Sequence, residues 1–376
     1  MNSGSIVVGG NLFSFAGYAS GGGDTVSVFS GTITNTGGLS IIPTLNVTTG
    51  ATINGGAGLA ISAAMTGNLT TTGAVTLQGT TIGTISNNGT LTLNGTLQTS
   101  GDASFSTVIG AGNSLSIGGN ATLSGPISGL STFAVSGTSA VNSSTITTSG
   151  TQTYSGNATL GAATALTGSV ITFGGTLNNA QTLAITGAAV FNGAVGGGTP
   201  LTSVTVSLTT GINGGSVNTT GIQTYTGAVT LGAATAMTGS TVTFGGTLDN
   251  GQTLAITGAA VFNGAVGGGT PLTSVTVSLT TGINGGSVST TGIQTYSGNA
   301  TLGAATALTG SVITFGGTLN NAQTLAITGA AVFSGAVGGV TPLTSVTVSL
   351  TTGINGGSVS TTGIQTYTGA ATLGAA

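Results

Sequence analysis

The stretch Thr220-Gly221-Ile222-Gln223-Thr224-Tyr225-Thr226-Gly227-Ala228-Val229-Thr230-Leu231 decides the fold. It holds two short runs in which polar residues, mostly Thr, are interleaved with large apolar or aromatic ones, and glycine separates the runs. Such alternation marks a half-buried strand, and the glycines supply turn positions. The core of the stretch returns as Gln152-Thr153-Tyr154-Ser155-Gly156, Gln294-Thr295-Tyr296-Ser297-Gly298 and Gln365-Thr366-Tyr367-Thr368-Gly369. The tyrosine spacing is 71 each time. Pro200, Pro271 and Pro342 keep that period, as do Phe173, Phe244 and Phe315, and Phe191, Phe262 and Phe333. Three full units run over 151–221, 222–292 and 293–363, with a fourth begun at 364–376; ending inside a unit implies that the array continues or was cut.

Within a unit, the spacing from Tyr154 to Phe173 to Phe191 is 19 and then 18, and the strand-like run from Val204 to Leu208 follows at a similar interval. The spacing predicts four steps of about 18 residues per unit. A step of that size is too short to fold alone, but stacked steps pair every strand with those above and below, about 4.8 Å apart. The expected fold is all-β, a single parallel β-helix or β-solenoid with about 18 residues per coil and a 71-residue sequence repeat. About 21 such coils would make a rod on the order of 100 Å. Residues 36–150 carry the same texture without the copied unit, as in Thr90-Leu91-Thr92-Leu93, and read as diverged coils. Residues 1–35 differ. Leu12-Phe13-Ser14-Phe15 and Tyr18 concentrate aromatics there, which suits a cap or an assembly segment, since an open solenoid end is a bare sheet edge.

Composition excludes most chemistry. The 376 residues include no Lys, Arg, His, Cys or Trp, and only three acidic residues, Asp24, Asp102 and Asp249, for a net charge of −3. The common general bases, amine and thiolate nucleophiles and zinc ligands are therefore missing. Nucleic-acid binding loses its electrostatic term. The three carboxylates lie far apart in the predicted coil, whereas a catalytic pair sits within roughly 5–10 Å. No catalytic, cofactor-binding or metal-binding residue, no cofactor and no enzymatic activity is expected. Polar residues interrupt every apolar run short of the 18–20 residues, approximately, that a transmembrane helix needs. The first eight residues lack the cationic region of a signal peptide.

Other motifs have bland readings. Gly21-Gly22-Gly23-Asp24 looks like one calcium-binding turn, but that device works by repetition. Asn46-Val47-Thr48, Asn68-Leu69-Thr70 and Asn157-Ala158-Thr159 match the N-glycosylation pattern, as chance allows in a chain rich in Asn and Thr. The tyrosines at 154, 225, 296 and 367 fit core or corner packing better than sugar stacking. Asp249 stands where other units have Asn178 and Asn320, which reads as drift at a turn. Thr-rich runs such as Thr90-Leu91-Thr92 could face ice, but Thr is also an ordinary strand residue.

The 220–231 stretch and Phe191-Asn192-Gly193-Ala194-Val195-Gly196-Gly197 resemble the repeats of filamentous-haemagglutinin-like adhesins and autotransporter passengers, the large exoproteins of bacterial surfaces. The likeness covers about 150–376 well and 40–150 in style. It implies a right-handed β-helix, export across an outer membrane, and an adhesive or structural role. The lack of cationic residues departs from that family's usual composition, and no secretion domain of the family stands in this stretch. The expectation is an extracellular, cell-surface structural fibre protein that self-associates end to end or side by side. An adhesin stalk presenting a tip to partners such as surface glycans is the alternative, and an ice-binding solenoid the third. With three carboxylates, stability should be nearly independent of pH across roughly 2–10.

Overall fold

The computed structural model describes residues 83–374 apart from Asn94 in full and, before residue 83, the backbone of the strand segments. The chain divides into two units, Met1–Gly187 and Ala188–Ala376. Every regular element among the described residues is a strand, and the strands pair in parallel to form β-solenoid coils in each unit.

Each coil has three sides, because every strand segment pairs with the third segment after it. In the first unit one side stacks Leu97, Leu115, Phe133 and Gln152. A second stacks Ala103, Ala121, Ser139 and Ala158. The third stacks Val108, Ile127, Ile146 and Leu166. Parallel stacking reaches into residues 1–35, where Ser5–Val8 pairs with Thr25–Val28 and that strand with Thr44–Val47. Alternation decides what is buried. In Phe133–Val135, Gln152–Tyr154 and Leu115–Ile117 the outer two residues face inward and the middle one outward. Each inward Leu, Ile or Phe contributes roughly 1.5–3 kcal/mol by leaving water.

The second unit corrects the predicted coil count. Tyr225 stacks in register on Phe244, then Phe262, Ile283 and Leu302. Ile283 thus lies three coils beyond Tyr225, and Leu302 lies four coils beyond it. Tyr296, one sequence period after Tyr225, falls between them, two sides past Ile283, in the column of Met237, Ile256 and Val277. Tyr367 lies in the remaining column, on Val348, Ile327 and Leu308. One sequence repeat is therefore three and two-thirds coils, not four equal ones. Successive repeats are turned by a third about the solenoid axis, and the tyrosines do not form one ladder. The extra length enters at the Gly-Thr-Pro loop around Pro271. The step from Ala260 to its partner Thr281 is longer there than the step from Val242 to its partner Ala260.

Some strands are longer than the sequence predicts because they run round a corner. Thr235–Phe244 pairs with Ser216–Asn218 by its first half and Gln223–Tyr225 by its second. Its pairing with Thr253–Phe262 shifts register between Thr238 and Thr241. Gly258 turns this corner on the later strand with φ +143°, and a Cβ there would collide with the Gly239 carbonyl. Glycine alone meets both demands.

Candidate functional site

Three of the four tyrosines predicted to pack in the core do so, and Tyr367 is half-buried. Tyr154, Tyr225 and Tyr296 are fully buried. Tyr225 stacks on Phe244 at 5.7 Å, and Phe244 on Phe262 at 5.6 Å. Tyr296, Phe315 and Phe333 repeat the stack at 5.2 and 5.9 Å. Tyr154 stacks on Phe173 at 5.0 Å and meets Phe133 edge-on at 5.7 Å. Three of the four repeating tyrosines thus have no ring face for a sugar.

Each of these tyrosines works with a glutamine that the sequence reading did not single out. Gln223 is 0% exposed. The Tyr225 hydroxyl donates to Gln223 Oε1 at 3.0 Å. Gln223 Nε2 donates to the Val217 carbonyl at 3.0 Å and to Thr238 O of the next coil at 2.8 Å. Gln294 with Tyr296 and Gln152 with Tyr154 make the same bonds, at 2.9 and 3.0 Å to tyrosine. A buried amide and hydroxyl are stable here because their partners are present. Burial pushes the phenol pKa of all three tyrosines well above the ordinary range, since a phenolate would lose its water.

The carboxylates serve turns. Asp102 Oδ1 accepts the Asn120 backbone N–H at 2.7 Å, one coil on. Asn120 and Asn157 do the same for Thr138 and Thr176, at 2.8 and 3.0 Å. Asp249 Oδ1 accepts the Gly269 N–H at 2.9 Å, as Asn320 Oδ1 accepts that of Val340 at 3.1 Å. Asp249 thus does an asparagine's work. Asp24 and its glycines lie outside the described residues, as do parts of the sequons at Asn46 and Asn68. Asn157 is exposed. No cluster of three or more His, Cys, Asp or Glu gathers among the described residues.

The Ser139 hydroxyl is buried without a hydrogen-bond partner, and so is one recurring threonine of the core. The hydroxyls of Thr210, Thr281 and Thr352 are buried without a partner, once per repeat. Thr281 stacks between Ala260 and Ala300. A buried hydroxyl without a partner costs about 1–3 kcal/mol. Thr281→Val keeps the branched shape and removes the hydroxyl, so it should stabilise the second unit by about 1 kcal/mol. A denaturant midpoint at or below that of the parent chain contradicts this.

Among the described residues the outer surface carries only two charged side chains, Asp102 and Asp249. Outward threonines stack at 205, 224 and 243, after which Val261 and Gly282 interrupt the row. Thr276, Thr295 and Thr314 form the next row, which Val332 and Gly353 interrupt in turn. The two rows lie on different sides, and each spans only about 10 Å. That is a short patch against the extended flat lattice of an ice plane. An open groove of about 420 Å³ lies at Gly282, among Thr241, Val261, Asn284 and Thr301. Leu208, Leu279 and Leu350, each 55% exposed, stand one per repeat at three different corners. Comparison with protein-family models, curated proteins and solved structures finds no match to this chain.

Proposed function

We propose that the chain is a structural fibre protein of a bacterial cell surface that works by self-association. The nearly uncharged outer surface carries this reading. Among the described residues only Asp102 and Asp249 have charged side chains. Soluble proteins that stay apart scatter charge over their surfaces. This chain lacks that repulsion, and it offers hydroxyls, amides and corner leucines that can meet another copy without burying an ion. The resemblance of the repeats to bacterial exoproteins supports the extracellular placement.

Electron microscopy with sedimentation across a micromolar concentration series tests the proposal. Assemblies should grow with concentration and persist at high salt, because no ion pair is there to be screened. The triple variant Leu208→Lys, Leu279→Lys, Leu350→Lys should disperse them while keeping the β-sheet circular dichroism. Single particles at every concentration, unchanged when residues 1–35 are deleted, would overturn the fibre reading and favour a stalk that presents a binding tip.

A further inference from the structure

We propose that Asn250 is the preferred site of spontaneous deamidation among the described Asn-Gly pairs, a built-in modification that adds negative charge to a nearly uncharged chain. The turn reads Asp249-Asn250-Gly251, where the other repeats read Asn178-Asn179-Ala180 and Asn320-Asn321-Ala322. All three central asparagines hold an unusual backbone, with φ of 103° at Asn250, 98° at Asn179 and 103° at Asn321. All three point Nδ2 at a leucine carbonyl one coil earlier: Leu231 at 3.0 Å, Leu160 at 2.7 Å and Leu302 at 2.7 Å. In the two alanine-containing turns this pose leaves Oδ1 at 3.1 Å from the nitrogen of the next residue. In those turns the next residue's N–H is held by Oδ1, whereas no such bond holds the Gly251 nitrogen, which stays free to attack the adjacent side-chain carbonyl carbon. At Asn250 the next residue is glycine, which has no Cβ to hinder closure. The Gly251 N–H makes no hydrogen bond among the described residues, and Asn250 is exposed to water.

The other described Asn-Gly pairs are restrained. After Asn213, Asn284 and Asn355 the glycine N–H donates to the carbonyls of Phe191, Phe262 and Phe333 at 3.0, 2.9 and 3.0 Å. Asn192 and Asn263 have Oδ1 held by the amides of Asn213 and Asn284 at 2.8 Å. Asn88 Oδ1 accepts from Ser106 at 3.0 Å, and the Gly89 N–H donates to Asn87 Oδ1 at 3.2 Å.

In the reaction the Gly251 nitrogen gives its proton to solvent base and bonds to Cγ of Asn250. The Cγ–Nδ2 bond breaks and ammonia leaves. Water then opens the succinimide to aspartate or isoaspartate. Nothing is oxidised or reduced. The net charge moves from −3 to −4, and a carboxylate replaces the amide that donated to Leu231.

The test is mass spectrometry of the folded full chain incubated at mildly alkaline pH and cut with elastase, the peptide around Leu248-Asp249-Asn250 being unique. Asn250 should gain one dalton about tenfold faster, or more, than the other described Asn-Gly sites. In denaturant those rates should converge. Gly251→Ala, a residue that the other two repeats carry at this place, should slow the conversion by about tenfold. Equal rates in the folded chain, rates that stay apart in denaturant, or an unchanged rate in Gly251→Ala would overturn the proposal.

Discussion

Raised through pH 10, the protein should lose its β-structure steeply. The cause is the trio Tyr154, Tyr225 and Tyr296, whose burial lifts their pKa values far above that of an exposed phenol. In the unfolded chain these groups ionise near pH 10, and in the fold they stay neutral. Between those limits the unfolded state binds fewer protons, so stability falls as pH rises. It is complete below about pH 10 and declines by about 1.4 kcal/mol per pH unit for each tyrosine above it. Unfolding in one step would bring the three together, about 4 kcal/mol per unit. The tyrosinate absorbance of three of the five tyrosines should therefore rise together with the loss of the β-sheet signal, above the pH at which a free phenol titrates. All five phenolates of the chain forming near pH 10 with the sheet intact would contradict the assignment. The flat pH response expected from composition thus has an alkaline limit set by tyrosine.

The second large effect is expected at Gln223. Gln223→Leu keeps the bulk, but it leaves the buried Tyr225 hydroxyl without its acceptor and takes a side-chain donor from the Val217 and Thr238 carbonyls, the latter keeping the Thr219 N–H. The cost should be about 3 kcal/mol in denaturant unfolding. Adding Tyr225→Phe removes the stranded hydroxyl, so the double variant should recover about 1 kcal/mol of that loss. A single variant within about 0.5 kcal/mol of the parent chain, the usual spread of inert surface changes, would show that the pair is not a stabilising cross-link.

Much of this was legible in the residues. Alternating Thr and β-branched residues mark the strands, and copied strands too short to fold alone require a partner above and below. The repeat's phase was not legible, because the aromatic spacing from Tyr154 to Phe173 to Phe191 samples only the shorter coils. The longest coil is set by a loop at Pro271 whose path depends on tertiary pairing. The glutamines were within reach. Gln223 stands two residues before an inward tyrosine, and a strand's period of two places both on the same face. A polar residue of that parity next to a buried phenol is a signal of a core hydrogen bond. The roles of Asp102 and Asp249 needed coordinates, since their partners lie 18 and 20 residues away.

The one-third turn between repeats has a consequence for inheritance. Recombination between near-identical 71-residue copies would add or delete whole units without harming the core, since the same strand contacts re-form at the junction. Each unit gained or lost would still swing everything beyond it by about a third of a circle around the axis. Copy number would act as a dial for the direction in which distal residues face. Only a change by three units, which is eleven whole coils, would lengthen the protein and leave that direction as it was.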